Sequence, residues 1–287
     1  MFNKVYLIGV GLINGSLAKD LKRLELAKTI VGIGRDRLRM QAAQAAQVID
    51  EYQLLNECNV ADADVIVLGV PVGKTKQTLD LIKTTLSSQT IITDVGSTKS
   101  NVVQAALETF GTLPANVIPG HPIAGSEQSG FEFAKDNLFK QRKVILTPTE
   151  NSDAAALEAI KLMWQKVGAS VDVMNAEQHD AILSATSHLP HMVAYSLVNC
   201  LSKRTDADDI FNYAAGGFYD FTRIASSDPT MWADICLANK EMLLESMQGF
   251  SASLNHLRDA IVNEDEQAIH ELFENAKHMR DKSLLKK

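Results

Sequence analysis

VYLIGVGLINGSLA, residues 5–18, decides the fold. A short β-branched, apolar run ends in Gly9 and Gly11, and a helix-compatible segment follows at once. A strand, a glycine turn and a helix N-terminus in that order make a pyrophosphate site. Gly9 permits the tight turn, Gly11 lets the backbone approach the phosphates, and the helix dipole favours the anion. Leu12 and Ile13 open the helix beside that approach. The third position of the G-x-G-x-x-G pattern is Asn14, with Gly15 next, so the position of the motif in the chain carries more weight than the motif alone.

Outward from this stretch the same rhythm repeats. TIVGIGR (29–35), ADVIVLGVP (63–71), QTIITDVGS (89–97), NVIPGHP (116–122) and KVILTP (143–148) alternate with helix-length segments such as 15–26, 37–47, 73–86 and 154–167. Nearly continuous apolar strands indicate a parallel sheet buried on both faces. The reading is α/β: a Rossmann-type, doubly wound parallel sheet over residues 1–172, binding a dinucleotide. From 173 to 287 the pattern is helical alone. Asp228 and Pro229 suit a helix N-cap and first turn. Leu243, Met247, Phe250, Leu254, Leu257 and Ile261 then recur as one apolar seam, and Ile269, Leu272, Phe273, Ala276 and Met279 form a second stripe. Such a seam either closes an intrachain core or buries itself against a second copy, and the expectation is a homodimer through this half.

Composition removes other classes. The 287 residues carry 28 Lys+Arg against 35 Asp+Glu, a net charge of −7 without a single-sign block, so nucleic acid is not an expected partner. No run approaches the roughly 18 apolar residues of a membrane span. Three cysteines, Cys58, Cys200 and Cys236, form no CxxC pair, which suits a reducing, cytoplasmic location.

An NAD-preferring site usually places an acidic side chain at the end of the second strand. That position here is Gly34, followed by Arg35 and Asp36, which favours NADP over NAD, with Asp36 the residue that argues for NAD. Val70 and Pro71, after the third strand, fall on the nucleotide side. In an open parallel sheet, ligands bind outside the carboxyl ends of the strands. DVGSTKS (94–100) and GHPIAGSEQSG (120–130) should therefore meet the glycine turn in one crevice, with His121 at its nicotinamide end.

GVGLINGSLA, VPVG, DVGSTK, HPIAGSEQSG, SHLPHMVAYSL and GGFYDFTRIASSDPTMW, in this order, resemble the prephenate dehydrogenase family of tyrosine biosynthesis, especially its bacterial cyclohexadienyl dehydrogenases. The resemblance covers essentially the whole chain. It implies a Rossmann domain followed by a helical dimerisation domain, and oxidative decarboxylation of prephenate to 4-hydroxyphenylpyruvate with NAD or NADP. Arogenate, or both substrates, is the alternative within the family. The resemblance makes His121 the base for the ring hydroxyl and sets Ser97 beside it to orient hydroxyl and nicotinamide. Arg223 becomes the cation for the ring carboxylate, with Glu127 and Asp220 as acidic residues that interact with it at the site entrance. Ser126 and Trp232 would line the pocket, His191 would touch substrate, and His188 would support it. A metal at His188 and His191 is not expected, because Pro190 lies between them and no carboxylate completes a sphere. His179, His256, His270 and His278 fall on helical patterns among charged residues and read as a solvated face. A catalytically silent dinucleotide sensor is the reading from another class, and His121, Ser97 and Arg223 together argue against it.

Overall fold

The computed structural model describes residues 1–125 and 128–284. Strand β1 (Phe2–Ile8) runs into α1 (Leu12–Arg23), then β2 (Ala27–Gly34), α2 (Arg37–Ala45) and β3 (Glu51–Leu54). After these come β4 (Val65–Leu68), α3 (Thr75–Ile82), β5 (Ile91–Asp94) and α4 (Ser100–Phe110). These strands form one parallel sheet in the order β3-β2-β1-β4-β5, with β1 between β2 and β4. Val5, Leu7 and Val67 sit in the core on one face of the sheet, while Tyr6, Ile8 and Ile66 sit on the other. A sheet covered on both faces explains why its strands read as unbroken apolar runs.

The later strands depart from the expectation of one continued parallel sheet. Residues 116–118 do run alongside β5, through a parallel bridge at Ile92 and Val117. The chain then leaves that sheet: β6 (Gly120–Pro122) pairs antiparallel with β7 (Lys143–Leu146). After α5 (Ala154–Lys166), β8 (Ser170–Val173) adds parallel to β7 to complete a three-stranded sheet. The physical reason is the connection: residues 123–142 include a short turn at Phe131–Phe133 but no crossover helix among the described residues, and parallel neighbours need one.

Beyond β8 the described residues are helical: α6 (Ala176–Leu183), a π-type turn at Ser184–His188, α7 (Leu189–Ser202), α8 (Ala207–Asn212) and α9 (Gly216–Thr222). A tight turn at Arg223–Ser226 leads to α10 (Pro229–Ala238), α11 (Lys240–Val262) and α12 (Glu266–Leu284). Asp228 caps α10 as its sequence suggests, accepting the Met231 N–H at 2.8 Å, with Pro229 as the first helical residue. The chain forms two compact units, Met1–Lys240 and Glu241–Lys287. In the second, Met247, Phe250, Leu254, Ile261, Phe273 and Met279 are exposed, so much of the apolar seam lies on the surface. No helix among the described residues is long and apolar enough to cross a membrane.

Candidate active site

The glycine turn takes its shape from β4. Gly9 has φ +85°, and a Cβ on it would lie 2.5 Å from the Gly69 carbonyl oxygen, so no side chain fits. Gly11, the N-cap of α1, supplies no side-chain cap, and a Cβ there would meet nothing within 4 Å. Free N–H groups at a helix start, facing open space with no acidic residue in the first turn, suit a pyrophosphate. Asn14, the departure from the glycine pattern, is buried, and its amide donates to the carbonyls of Gly9 at 3.0 Å and Val67 at 3.2 Å. Gly69 makes room for it, since a Cβ there would lie 2.4 Å from Asn14 Nδ2. Asn14 thus ties the turn to β4 by hydrogen bonds, where a third glycine would do so by close packing.

At the end of β2 a Cβ on Gly34 would press on Met40. Asp36 is engaged as the N-cap of α2, accepting from the N–H groups of Leu38 at 2.8 Å and Arg39 at 3.2 Å. Arg35 is exposed beside them.

A crevice of about 610 Å³ joins the turn to the loops after β4, β5 and β6; Gly11, Ile13, Pro71, Ser97 and His121 are among its walls. The loops are held together by the buried pair of Asp94 and Lys99. Asp94 accepts the N–H groups of Gly96 at 2.8 Å and Gly120 at 3.0 Å, and Lys99 donates to the Gly120 carbonyl at 2.7 Å. This one pair therefore fixes the segment bearing Ser97 against the segment bearing His121.

His121 lies at the crevice edge, and its Nδ1 is 2.9 Å from Nε2 of His179. His179 is fully buried and its Nδ1 is 2.8 Å from Asp180, which corrects its assignment to a solvated helical face. Burial first, then His179, Lys99 and His188, hold His121 well below the usual histidine range, so the ring is neutral at neutral pH. His188 is also buried, and burial lowers its pKa to about 4, aided by His179 and His191 and opposed by Asp180. Its Nδ1 lies 3.1 Å from the Asn239 amide nitrogen, which also donates to the Asp180 carbonyl.

His191 stacks on Trp232, with ring centroids 3.7 Å apart, and its Nδ1 donates to the Ser187 carbonyl at 2.8 Å. The acceptor face of that ring is therefore Nε2. Trp232 belongs to a small buried cluster with Val72 and Ile235 that packs α10 onto the loop after β4. α7 packs against the turn at Arg223–Ser226, where the Tyr195 hydroxyl donates to the Ser227 carbonyl at 2.6 Å. Arg223 and Asp220 are exposed on that turn and on α9. Ser126 and Glu127 lie outside the described residues.

Residues 17–173 match the model of the prephenate dehydrogenase nucleotide-binding domain, and residues 175–275 match that of the prephenate dehydrogenase dimerization domain. The chain is 36% identical to the prephenate dehydrogenase of Bacillus subtilis over 285 residues, covering 98% of this chain and 76% of that protein. The chain belongs to the prephenate dehydrogenase family. It is also 34% identical to the cyclohexadienyl dehydrogenase of Zymomonas mobilis, covering 98% of this chain and 96% of that one. Among solved structures, that of the prephenate dehydrogenase of A. aeolicus in complex with hydroxyphenyl propionate and NAD+ aligns with a TM-score of 0.89 at 38% identity, covering 98% of both chains.

Membership of the prephenate dehydrogenase family supplies a nicotinamide dinucleotide as cofactor, and the open helix start at Gly11 fits its pyrophosphate. Four residues of the site carry roles that the sequence does not mark: Asp94 and Lys99 lie inside DVGSTKS, His179 reads as part of a solvated face, and Asp180 follows it with no pattern of its own. The adjacent His-Asp at 179–180 was the available signal, but neighbours in sequence point to different faces of a helix and suggest no shared contact.

Proposed function

We propose that this chain oxidises prephenate on a nicotinamide dinucleotide with loss of the ring carboxylate as carbon dioxide, and that His121 is the base. The observation that carries the assignment is a neutral His121, braced from behind by His179, on the same crevice as the glycine turn. When bound, the dinucleotide would supply the hydride acceptor for C4 of the substrate ring. The Gly9–Ile13 turn would hold its pyrophosphate, with Val70 and Pro71 along the crevice wall. His121 takes the proton of the C4 hydroxyl, and Ser97 orients that hydroxyl. The electron pair of the departing carboxylate's bond completes the aromatic ring. Arg223 holds the ring carboxylate through its planar guanidinium, Asp220 interacts with that arginine, and His191 contacts substrate beside Trp232.

NADP is the preferred nucleotide in this reading. Gly34 offers no carboxylate to a ribose, Asp36 is occupied as a helix cap, and Arg35 is exposed beside them to meet a 2′-phosphate. The protein works as a homodimer through its helical part, residues 173–287, because much of the seam on α11 and α12 is exposed and the matching family model is a dimerization domain. Residues 1–172 form the dinucleotide-binding domain. No metal takes part, and the site is cytoplasmic, in keeping with three cysteines outside any disulfide.

Absorbance at 340 nm, followed with NAD or NADP and with prephenate or arogenate in all four combinations, tests these choices. The expected result is the fastest reduction with NADP and prephenate. Faster reduction with NAD overturns the Gly34–Arg35 reading, and preference for arogenate replaces the substrate. Tight nucleotide binding with silence in all four would leave the sensor reading.

The pH dependence follows from His121. The base must be neutral, and its pKa lies well below 6.5, so activity is full at neutral pH and is lost only as pH falls through that lowered value. The acid limb of kcat/KM is expected below pH 6.5. A limb centred above it would remove His121 from the role of base.

A further inference from the structure

Behind His121 stands a line of side chains that the reaction above does not employ. His121 Nδ1 meets His179 Nε2 at 2.9 Å, and His179 Nδ1 meets Asp180 Oδ1 at 2.8 Å. The carboxylate also accepts the N–H groups of Lys99 and Ser100, each at 2.8 Å, so Asp180 on α6 caps the start of α4. Burial raises the pKa of Asp180, but the hydrogen bonds from His179, Ser100 and Lys99 outweigh it and leave the group below the usual carboxylate value. The anion is thus held at a helix N-terminus, where the dipole favours it.

The protons in this line can be assigned from Asp180 outward. An ionised carboxylate only accepts, so His179 Nδ1 carries a hydrogen. A neutral His179 then presents a lone pair at Nε2, His121 must donate from Nδ1, and the acceptor lone pair of His121 is left on Nε2. Reversing either ring would set two donors or two acceptors against each other in a buried place.

We propose that His179 and Asp180 are positioning residues that lock His121 in its Nδ1–H tautomer, so that the basic Nε2 is the nitrogen offered to the substrate hydroxyl. The proposal rests on His121 being the base. When His121 takes the hydroxyl proton on Nε2, its Nδ1–H continues to donate to His179, and Asp180 supplies the negative charge at the far end of the line. The other titratable groups acting on His121 are Lys99, which is paired with Asp94, and His188, which accepts from Asn239. Neither touches His121 Nδ1, so among the described residues it is His179 that sets the tautomer.

Two substitutions separate this role from a structural one. In His179→Gln the amide N–H must face Asp180, which leaves the amide oxygen to accept from His121 Nδ1. His179→Leu removes that acceptor. The expected result is a fall in kcat of about 10²–10³ for His179→Leu with KM within about threefold, and recovery to within about tenfold of the parent for His179→Gln. Nitrogen-15 shifts of the unmodified protein should show the proton of His121 on Nδ1, and those of His179→Gln should show the same. A proton on Nε2 of His121 in the unmodified protein overturns the proposal even if the leucine variant does not fold, and so does equal kcat in the glutamine and leucine variants. Full turnover of a His121→Asn variant alongside the Nδ1–H tautomer would instead remove the base assignment and leave the tautomer lock standing.

Discussion

His121→Asn lowers kcat by roughly two to four orders of magnitude, the usual worth of a positioned base, while nucleotide and substrate bind about as tightly as before. The substitution is mild for the fold. Asparagine can place an amide N–H near the position of the histidine Nδ1–H and continue to donate to His179, so the buried line through Asp180 keeps its partners. The clamp of Asp94 and Lys99 on Gly120 does not involve the ring at all. What disappears is the lone pair facing the crevice. Stopped-flow binding and steady-state turnover on the same preparation separate the two effects: a variant that binds both ligands and turns over within about threefold of the parent would show that proton removal is not the work of this residue.

The second large effect is at the glycine turn, where two neighbouring substitutions act by different routes. Gly9→Ala forces a side chain into φ +85° and against the Gly69 carbonyl, 2.5 Å away. The left-handed backbone alone costs a non-glycine residue about 1–2 kcal/mol, so Gly9→Ala should lower stability by roughly 1–3 kcal/mol and also displace the turn. Gly11→Ala meets nothing within 4 Å and should melt like the parent. Its methyl group occupies the space through which the pyrophosphate approaches the helix start. Nucleotide affinity should therefore fall on the order of tenfold to a hundredfold in Gly11→Ala, equivalent to about 1.4–2.8 kcal/mol. Thermal melts and fluorescence titrations of both variants check this, and a Gly11→Ala protein with parental nucleotide affinity would place the pyrophosphate elsewhere.

The alternating half was legible because burial on both faces leaves a plain record in strands such as YLI and VIVL. Direction leaves no such record. The run 143–148 is as apolar as the others, and only the lack of a crossover helix among the described residues between Pro122 and Lys143 separates an antiparallel partner from a parallel one. The edge strand Glu51–Leu54 went unseen because its mixed polar sequence EYQL is only partly buried. At the site, Gly9 in its turn and His121 on β6 could be placed by the order of the strands alone. His179 could not: periodicity along 176–183 reports how polar the surroundings are in sequence, whereas its burial comes with contact to strand β6, 58 residues away. Asp180 was hidden for the same reason, since it caps a helix 80 residues earlier in the chain.

Purified protein given NADP and prephenate, with reduced nucleotide and carbon dioxide measured in the same reaction, tests the central claim most directly. The account predicts one molecule of carbon dioxide for each nucleotide reduced, in the parent protein and in the residual turnover of His121→Asn alike. Reduced nucleotide without carbon dioxide would contradict it, because oxidation at this crevice would then proceed without aromatisation of the ring.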